Sequence, residues 1–246
     1  MYQFFVESTQ VQDGYIRIEG QDVNHIGNVL RMKVNEKVRI SSDDEKSYFC
    51  HIEEIAREYV LCAIEYEDEV GTELSNKIYL FQGLPKSDKM ELIIQKAVEL
   101  GVYEIIPVTM KNCIMKLDEK KIAKRIVRWQ NIAVSAAKQS KRTIIPKILE
   151  PLSWKDACNM AQKCDVVLVP YENQRGMEET REVINGIDKG QSIGIIIGPE
   201  GGFSSDEIED ADTYENFKRI SLGRRILRTE TAGLATLAML VYKLDE

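Results

Sequence analysis

Two short stretches carry residue types that a packed core does not require. Ile197–Phe203 reads Ile-Gly-Pro-Glu-Gly-Gly-Phe, and Ser221–Thr231 reads Ser-Leu-Gly-Arg-Arg-Ile-Leu-Arg-Thr-Glu-Thr, with three arginines in five residues. Each follows an apolar run and leads into a helix-like segment. A third stretch, Val169-Pro170-Tyr171-Glu172-Asn173, also closes an apolar run. Glycines at such places let backbone approach a ligand without a Cβ in the way. In an open α/β sheet, ligands bind beyond the carboxyl ends of the strands, which makes these three strand ends the candidate site. The competing explanation is that a Gly-Gly pair is simply a turn, its commonest use.

Several chemistries are disfavoured. No G-x-G-x-x-G follows the first strand of the larger region, and no Gly-Lys-Ser/Thr follows Gly201-Gly202, so neither a dinucleotide fingerprint nor a P-loop is present. Neither His25 nor His51 is near the loops, which argues against a histidine-based hydrolase. Cys50, Cys62, Cys113, Cys158 and Cys164 are odd in number and include no C-x-x-C pair; buried reduced thiols are expected and no metal site is. The N-terminus lacks the pattern of a signal peptide and no apolar run approaches a membrane span, so a cytoplasmic location is expected.

Net charge is −7, which by itself argues against nucleic acid. Its distribution points the other way. Residues 1–75 hold 7 Lys and Arg against 16 Asp and Glu, whereas Lys111–Arg142 holds 10 basic and only 2 acidic side chains. A local basic patch suits a phosphate backbone. Within it, Lys120, Lys121, Lys124, Arg125 and Arg128 also fit an ordinary solvated helix face.

The elements that must position these residues divide into two regions. Residues 1–72 read as a small β-rich domain: Tyr2–Val6, Tyr15–Ile18, Lys37–Ile40, Tyr48–Ile55 and Tyr59–Ile64 are short, β-branched or aromatic, and separated by turn residues. One short helix, opened by Asp22 as N-cap, is expected between them. Five strands and a helix suggest a compact barrel, and Glu65–Gly71 reads as an acidic linker. Residues 73–246 alternate strand and helix. Strands are expected at Ile78–Phe81, Ile105–Thr109, Asp165–Val169, Ile193–Ile197 and Phe217–Ile220, with an extended segment at Ile144–Leu149. Helices are expected at Asp88–Leu100 (closed by Gly101), Asp118–Gln139, Ser153–Lys163, Met177–Ile187, Ser204–Ala211 and from Thr229 as cap to Lys243. Wholly apolar strands such as Val166–Val169 indicate a parallel sheet covered by helices on both faces.

Ile197–Glu207 (IGPEGGFSSDE) and Ser221–Ala235 (SLGRRILRTETAGLA) resemble the signature loops of the bacterial 16S rRNA uridine N3-methyltransferase family, of the SPOUT (trefoil-knotted) superfamily. The likeness continues in Lys86–Glu91, Gln95–Val102, Ala137–Arg142 and His25–Arg31, and so covers nearly the whole chain. The chain departs from the family pattern in three places: Asn35 and Lys141 stand where Gly is usual, and Thr109-Met110-Lys111-Asn112 replaces a Thr-Glu-Arg-Ser-like run. Asn tolerates the left-handed turn that Gly would make.

The resemblance implies an N-terminal PUA-like (OB-type) RNA-binding β-barrel, a C-terminal α/β domain with a deep trefoil knot, and a homodimer packed across the knots. It implies S-adenosylmethionine as cofactor and uridine 1498 of 16S rRNA, in the assembled 30S subunit, as target. Gly198, Gly202, Leu222, Ile226 and Leu227 are then expected to hold the adenine edge, and Ile197, Pro199, Gly223 and Thr231 are also expected to bind the cofactor. Pro170, Tyr171 and Glu172 take the methionine or ribose side. Methylation of N3 is an in-line displacement at a methyl carbon that needs proximity, exclusion of water and loss of the N3 proton. Arg228 is the expected catalytic group, its guanidinium stabilising the uridine anion as an oxyanion hole does; it stays protonated and cannot be the base. Glu200 is the expected proton acceptor, unless it merely answers the dipole of the helix it precedes. Arg224 and Arg225 fit a supporting role, and Glu230 a first-turn helix carboxylate. Arg31, Lys86, Lys89, Lys138 and Arg142 are expected to contact RNA. Two alternatives stand beside this reading: a related knotted methyltransferase acting on tRNA or a ribose 2′-hydroxyl, and a non-catalytic rRNA-binding assembly factor.

Overall fold

The computed structural model describes residues 1–86, 88–115 and 119–245. Ser87 and Asp118, and the side chains of Lys120 and Lys121, lie outside the described residues. The chain divides into two compact units, one of residues 1–73 with 137–145, the other of residues 74–136 with 146–246.

The first unit contains strands β1 (Tyr2–Val6), β2 (Val11–Gln12), β3 (Tyr15–Glu19), β4 (Lys37–Ser42), β5 (Ser47–Ile55) and β6 (Tyr59–Glu67), with helix α1 (Gln21–Asn24) after β3. They pair in the order β1-β4-β5-β6-β3-β2, and the outermost strands do not pair with each other. The sheet is therefore a half-barrel, one strand richer than the sequence suggests because β2 is only two residues long. Alternation along the strands buries Phe4, Ile16, Ile18, Ile40 and Ile52 in one core. Two local expectations need correcting. Asp22 lies inside α1, and the N-cap is Gly20 at φ 72°; the chain then continues through a π-turn, His25–Val29. Glu65–Glu67 belong to β6, not to a linker.

Residues 137–145 join this unit through buried polar contacts. Arg142, 3% exposed, places Nε 2.9 and 2.8 Å from the two Glu73 carboxylate oxygens, of which Oε1 also accepts the Thr143 and Ile144 N–H groups. Gln3 donates to Ser41 Oγ and to the Arg142 carbonyl, and the Ser47 hydroxyl reaches Thr143. Lys141 sits at φ 64°, the left-handed conformation that explains why a Gly suits its position, and Asn35 at φ 70° does the same in its turn. Arg142 is thus a strut between Glu73 and the turn after residue 140, not a cation presented to phosphate. Arg142→Met should lower the stability of the protein by about 3 kcal/mol, because it strands a partly buried carboxylate. Chemical denaturation measures this, and a change in RNA affinity at unchanged stability would contradict it.

The second unit holds β7 (Ile78–Gly83), α2 (Lys89–Glu99), β8 (Glu104–Thr109), α3 (Glu119–Ser140, whose last turn lies in the first unit), β9 (Lys147–Ile148), β10 (Leu152–Ser153), α4 (Trp154–Ala161), β11 (Val166–Pro170), α5 (Glu178–Asn185), β12 (Ile193–Ile197), α6 (Ser205–Ala211), β13 (Phe217–Ile220) and α7 (Thr229–Leu244). All strand pairs are parallel, in the order β10-β8-β7-β12-β11-β13, with β9 added to β8. Helices cover both faces. Phe81, Ile196 and Val167 pack with Ala157 and Ala161 of α4 and Ile208 of α6, whereas Leu80 and Ile197 meet α7 at Gly233. That two-sided burial is why these strands read as continuous apolar runs.

The helix ends follow local chemistry. Gly101 at φ 85° closes α2, Ser153 accepts the Asp156 N–H at the start of α4, and Ser204 with Glu207 forms a capping box on α6. The start of α7 differs from expectation: Arg228 is the N-cap and Thr229 the first helical residue, its hydroxyl engaged elsewhere. All five cysteines are free, and burial pushes the thiols of Cys50, Cys62 and Cys158 up to about 12.

Candidate active site

The three loops singled out by composition leave neighbouring parallel strands at the same edge of the sheet. Register sets Ile195 beside Leu168 and Pro170 beside Ile220, so β12, β11 and β13 end together. Between their loops lies a cleft of about 370 Å³, a size suited to a small ligand.

The cleft gathers most of the residues expected of it. Pro170, Tyr171, Glu172, Ile197, Gly198, Pro199, Gly202, Leu222, Gly223, Ile226 and Leu227 line it, together with Glu200 and Arg228. Thr231 does not; it is an exposed residue of the first turn of α7, away from the cleft wall. Phe203, Ser221, Thr229, Ala232 and Lys89 also line it and were not anticipated there. Phe203 was within reach of sequence reasoning, being the last residue of the glycine motif. Lys89 was not, because nothing local ties it to loops more than a hundred residues away.

Backbone conformation explains the glycines. Gly202 and Gly223 have φ of 67° and 101°, where a side chain is strained. A Cβ on Gly198 would lie 3.3 Å from the Phe203 ring, itself packed edge-on against Tyr171 and Trp154. One on Gly201 would lie 2.9 Å from Asn112 Cβ. The Asn112 amide donates to the Gly201 and Gly202 carbonyls at 3.1 and 3.2 Å, so this residue of the atypical Thr109–Asn112 run clamps the loop from outside. Met110 beside it is buried core. The second wall is pinned to the first by Thr229, whose hydroxyl donates to the Gly198 carbonyl at 2.6 Å and accepts from Gln82 Nε2 at 2.9 Å.

The charged groups sort themselves by partner. Arg228 is exposed on the cleft wall and, among the described residues, its guanidinium has no hydrogen bond or ion pair. Glu200 is engaged: its oxygens accept the Lys86 N–H at 3.0 and 3.3 Å, and Oε1 lies 3.2 Å from Lys89 Nζ. Burial pushes the Glu200 carboxyl up, but the Lys86 N–H, its own backbone N–H and the Lys89 ammonium outweigh that and hold it below the ordinary carboxylate value. A carboxylate held there is a weak proton acceptor, which tells against the role expected of Glu200. Two of the cations expected on RNA are likewise engaged: Lys89 by Glu200 and Glu230, and Lys138 by Asp22 at 3.0 Å. Arg31, at φ 53°, and Lys86 remain exposed.

Known proteins bear on this geometry. An RNA methyltransferase domain model matches residues 72–241, and an RNA methyltransferase PUA domain model matches residues 18–65. The ribosomal RNA small subunit methyltransferase E of Bacillus subtilis (strain 168) is 36% identical over 252 aligned residues, covering 100% of this chain and 98% of that protein. The chain belongs to that family. The protein of the same name from Mesomycoplasma hyopneumoniae (strain 232) is 36% identical over 234 residues, covering 95% of this chain and 96% of the relative. Among solved structures, the family member from Neisseria gonorrhoeae, bound to S-adenosyl methionine, superposes with a TM-score of 0.84 at 29% identity, over 98% of this chain and 97% of its own. The family resemblance read from the two loops therefore holds over the full chain.

Proposed function

We propose that this protein methylates N3 of uridine 1498 in 16S ribosomal RNA, using S-adenosylmethionine, in the cytoplasm and on the assembled small subunit. The observation that carries the reading is the cleft itself: three backbone-rich loops at one sheet edge, with an exposed arginine on the wall that is unpaired among the described residues. S-adenosylmethionine, when bound, supplies an electrophilic methyl group on a sulfonium. The residues present fit such a molecule. Gly198, Gly202 and Gly223 offer backbone without Cβ, Leu222, Ile226 and Leu227 offer apolar wall, and Tyr171 and Glu172 offer polar contacts opposite.

The chain's own contribution is to position the base and ease loss of its proton. Arg228 places positive charge where the uracil oxygens gain negative charge, which lowers the cost of forming the anion. Once the anion is so stabilised, solvent suffices as proton acceptor, and Glu200 serves as an anchor of its loop. Leu222 and Leu227, half-buried on the cleft wall, exclude water from it. The exposed cations Lys86 and Arg31 are the residues best placed to meet phosphate, with Lys89, Lys138 and Arg142 engaged in the protein. A homodimer packed across a knotted C-terminal region fits the exposed apolar residues Ile226 (82%) and Tyr242 (92%), of which Tyr242 lies on α7. Among the described residues no helix is long and apolar enough to cross a membrane.

Purified protein incubated with small subunits lacking the modification and methyl-labelled cofactor tests the reading. One methyl group per 16S molecule, mapped by mass spectrometry to N3 of uridine 1498, is the expected result. Label on tRNA or on a ribose hydroxyl, or no transfer despite cofactor binding, would support one of the alternatives.

A further inference from the structure

The mechanism leaves one charged cluster in the cleft unexplained. Lys89, in the first turn of α2, sets Nζ 3.2 Å from Glu200 Oε1 and 3.2 Å from Glu230 Oε2. Glu200 belongs to the glycine-rich wall. Glu230 stands in the first turn of α7, two residues after Arg228. Glu230 Oε2 is buried and has this ion pair but no hydrogen bond of ordinary geometry. The Lys89, Glu200 and Glu230 side chains are 29%, 23% and 15% exposed, so the bridge is partly buried with a carboxylate on each side of the ammonium.

From this bridge we infer that Lys89 is a positioning residue for methyl transfer, tying the two walls of the cleft together and fixing the helix start that carries Arg228. The inference rests on the proposed function for the identity of the reaction, but the bridge itself does not depend on which base is methylated. A surface lysine that reads phosphate needs its charge outward. This one has a partner on each side instead. Partial burial works against the Lys89 charge, and the contacts to Glu200 and Glu230 outweigh it, keeping the ammonium protonated.

Removing the ammonium takes away, among the described residues, the one cation in contact with both carboxylates. The other groups around Glu200 are the Lys86 N–H, the Cys113 thiol, and Glu172, Arg224, Arg225 and Arg228 on the cleft walls. Among the described residues none of these forms an ion pair with Glu200 or Glu230, as Lys89 does. With Lys89 absent, burial still pushes the Glu200 carboxyl up while one of the contributions holding it down is gone. It then takes up a proton at a higher pH than in the parent protein.

The test is calorimetric S-adenosylmethionine binding across pH, with single-turnover methylation of small subunits, for the parent, Lys89→Met, Lys89→Arg and Lys89→Met/Glu230→Gln. Lys89→Met is expected to weaken cofactor binding and slow the single-turnover rate, each roughly tenfold, the order for loss of one member of a coupled charged network. Its acid loss of cofactor binding should move to higher pH. Lys89→Arg should restore most of both, and the double variant should recover part by removing the carboxylate repulsion. Affinity for the small subunit and its salt dependence should stay unchanged. The inference is overturned if Lys89→Met leaves cofactor binding and its pH profile unaltered, or if it lowers RNA affinity and the salt slope as loss of a phosphate contact would. A parent protein that binds cofactor but does not methylate 16S RNA would instead overturn the proposed function, leaving the calorimetric arm to judge Lys89.

Discussion

Arg228→Ala should lower the rate of methyl transfer by about 10² to 10³-fold, the range for removing one preorganised donor from a site where anionic charge develops. Cofactor affinity, measured by calorimetry, should stay within a few-fold of the parent. The separation follows from structure. The guanidinium is exposed in the cleft and, among the described residues, holds no other group in place. Its removal should therefore not disturb the Thr229–Gly198 bond or the Lys89–Glu230 pair beside it. Arg228→Lys should recover only part of the rate, because an ammonium keeps the charge but not the planar fork of donors. Full activity in Arg228→Ala would remove this residue from the mechanism, and equal loss of cofactor binding would make it a binding residue.

Gly83→Ala should be the most damaging small substitution in the second unit. Gly83 ends β7, and a Cβ there would sit 2.7 Å from the Pro199 nitrogen and 2.9 Å from the Ile197 carbonyl oxygen. Both are backbone atoms of the cleft wall, which cannot rotate away as a side-chain end can. The wall must shift, and with it the Gly198 carbonyl that Thr229 holds. Overpacking of this kind costs about 1 to 3 kcal/mol even where neighbours can adjust, and the upper end is expected here. Denaturant unfolding should show that loss, and calorimetry should show cofactor binding abolished. Parent-like values in both would mean that β7 and the glycine-rich loop part more easily than their contact implies. Gly14, by contrast, has no atom near its missing Cβ, although its φ of 82° is still unfavourable for Ala.

How much of this was legible beforehand depends on the range of the interactions involved. The parallel sheet was readable because strands buried on both faces, such as Ile193–Ile197, cannot alternate. The cleft loops were readable because glycines, a proline and three arginines are out of place after such strands. Capping chemistry at Ser153 and Ser204 is local and was also visible. What sequence could not supply were the partners of charges. Arg142 looked like an RNA contact until Glu73, 69 residues earlier, was found against it. Glu200 looked like a base until the Lys86 N–H, 114 residues away, and Lys89 were found holding it. Arg142 and Thr143, just after α3, join the first unit for the same reason, through Glu73, Gln3 and Ser47. At Asp22 and Thr229 the right residue type stood within two positions of the true cap, a displacement that local preference alone does not resolve.

The most direct test of the central claim is made in the cell. In a strain lacking this protein, 16S rRNA examined by primer extension and nucleoside mass spectrometry should have lost N3-methyluridine at position 1498 alone. Expression of the parent protein should restore it, and expression of Arg228→Ala should not. N3-methyluridine retained at that position in the strain lacking the protein would contradict the assignment outright.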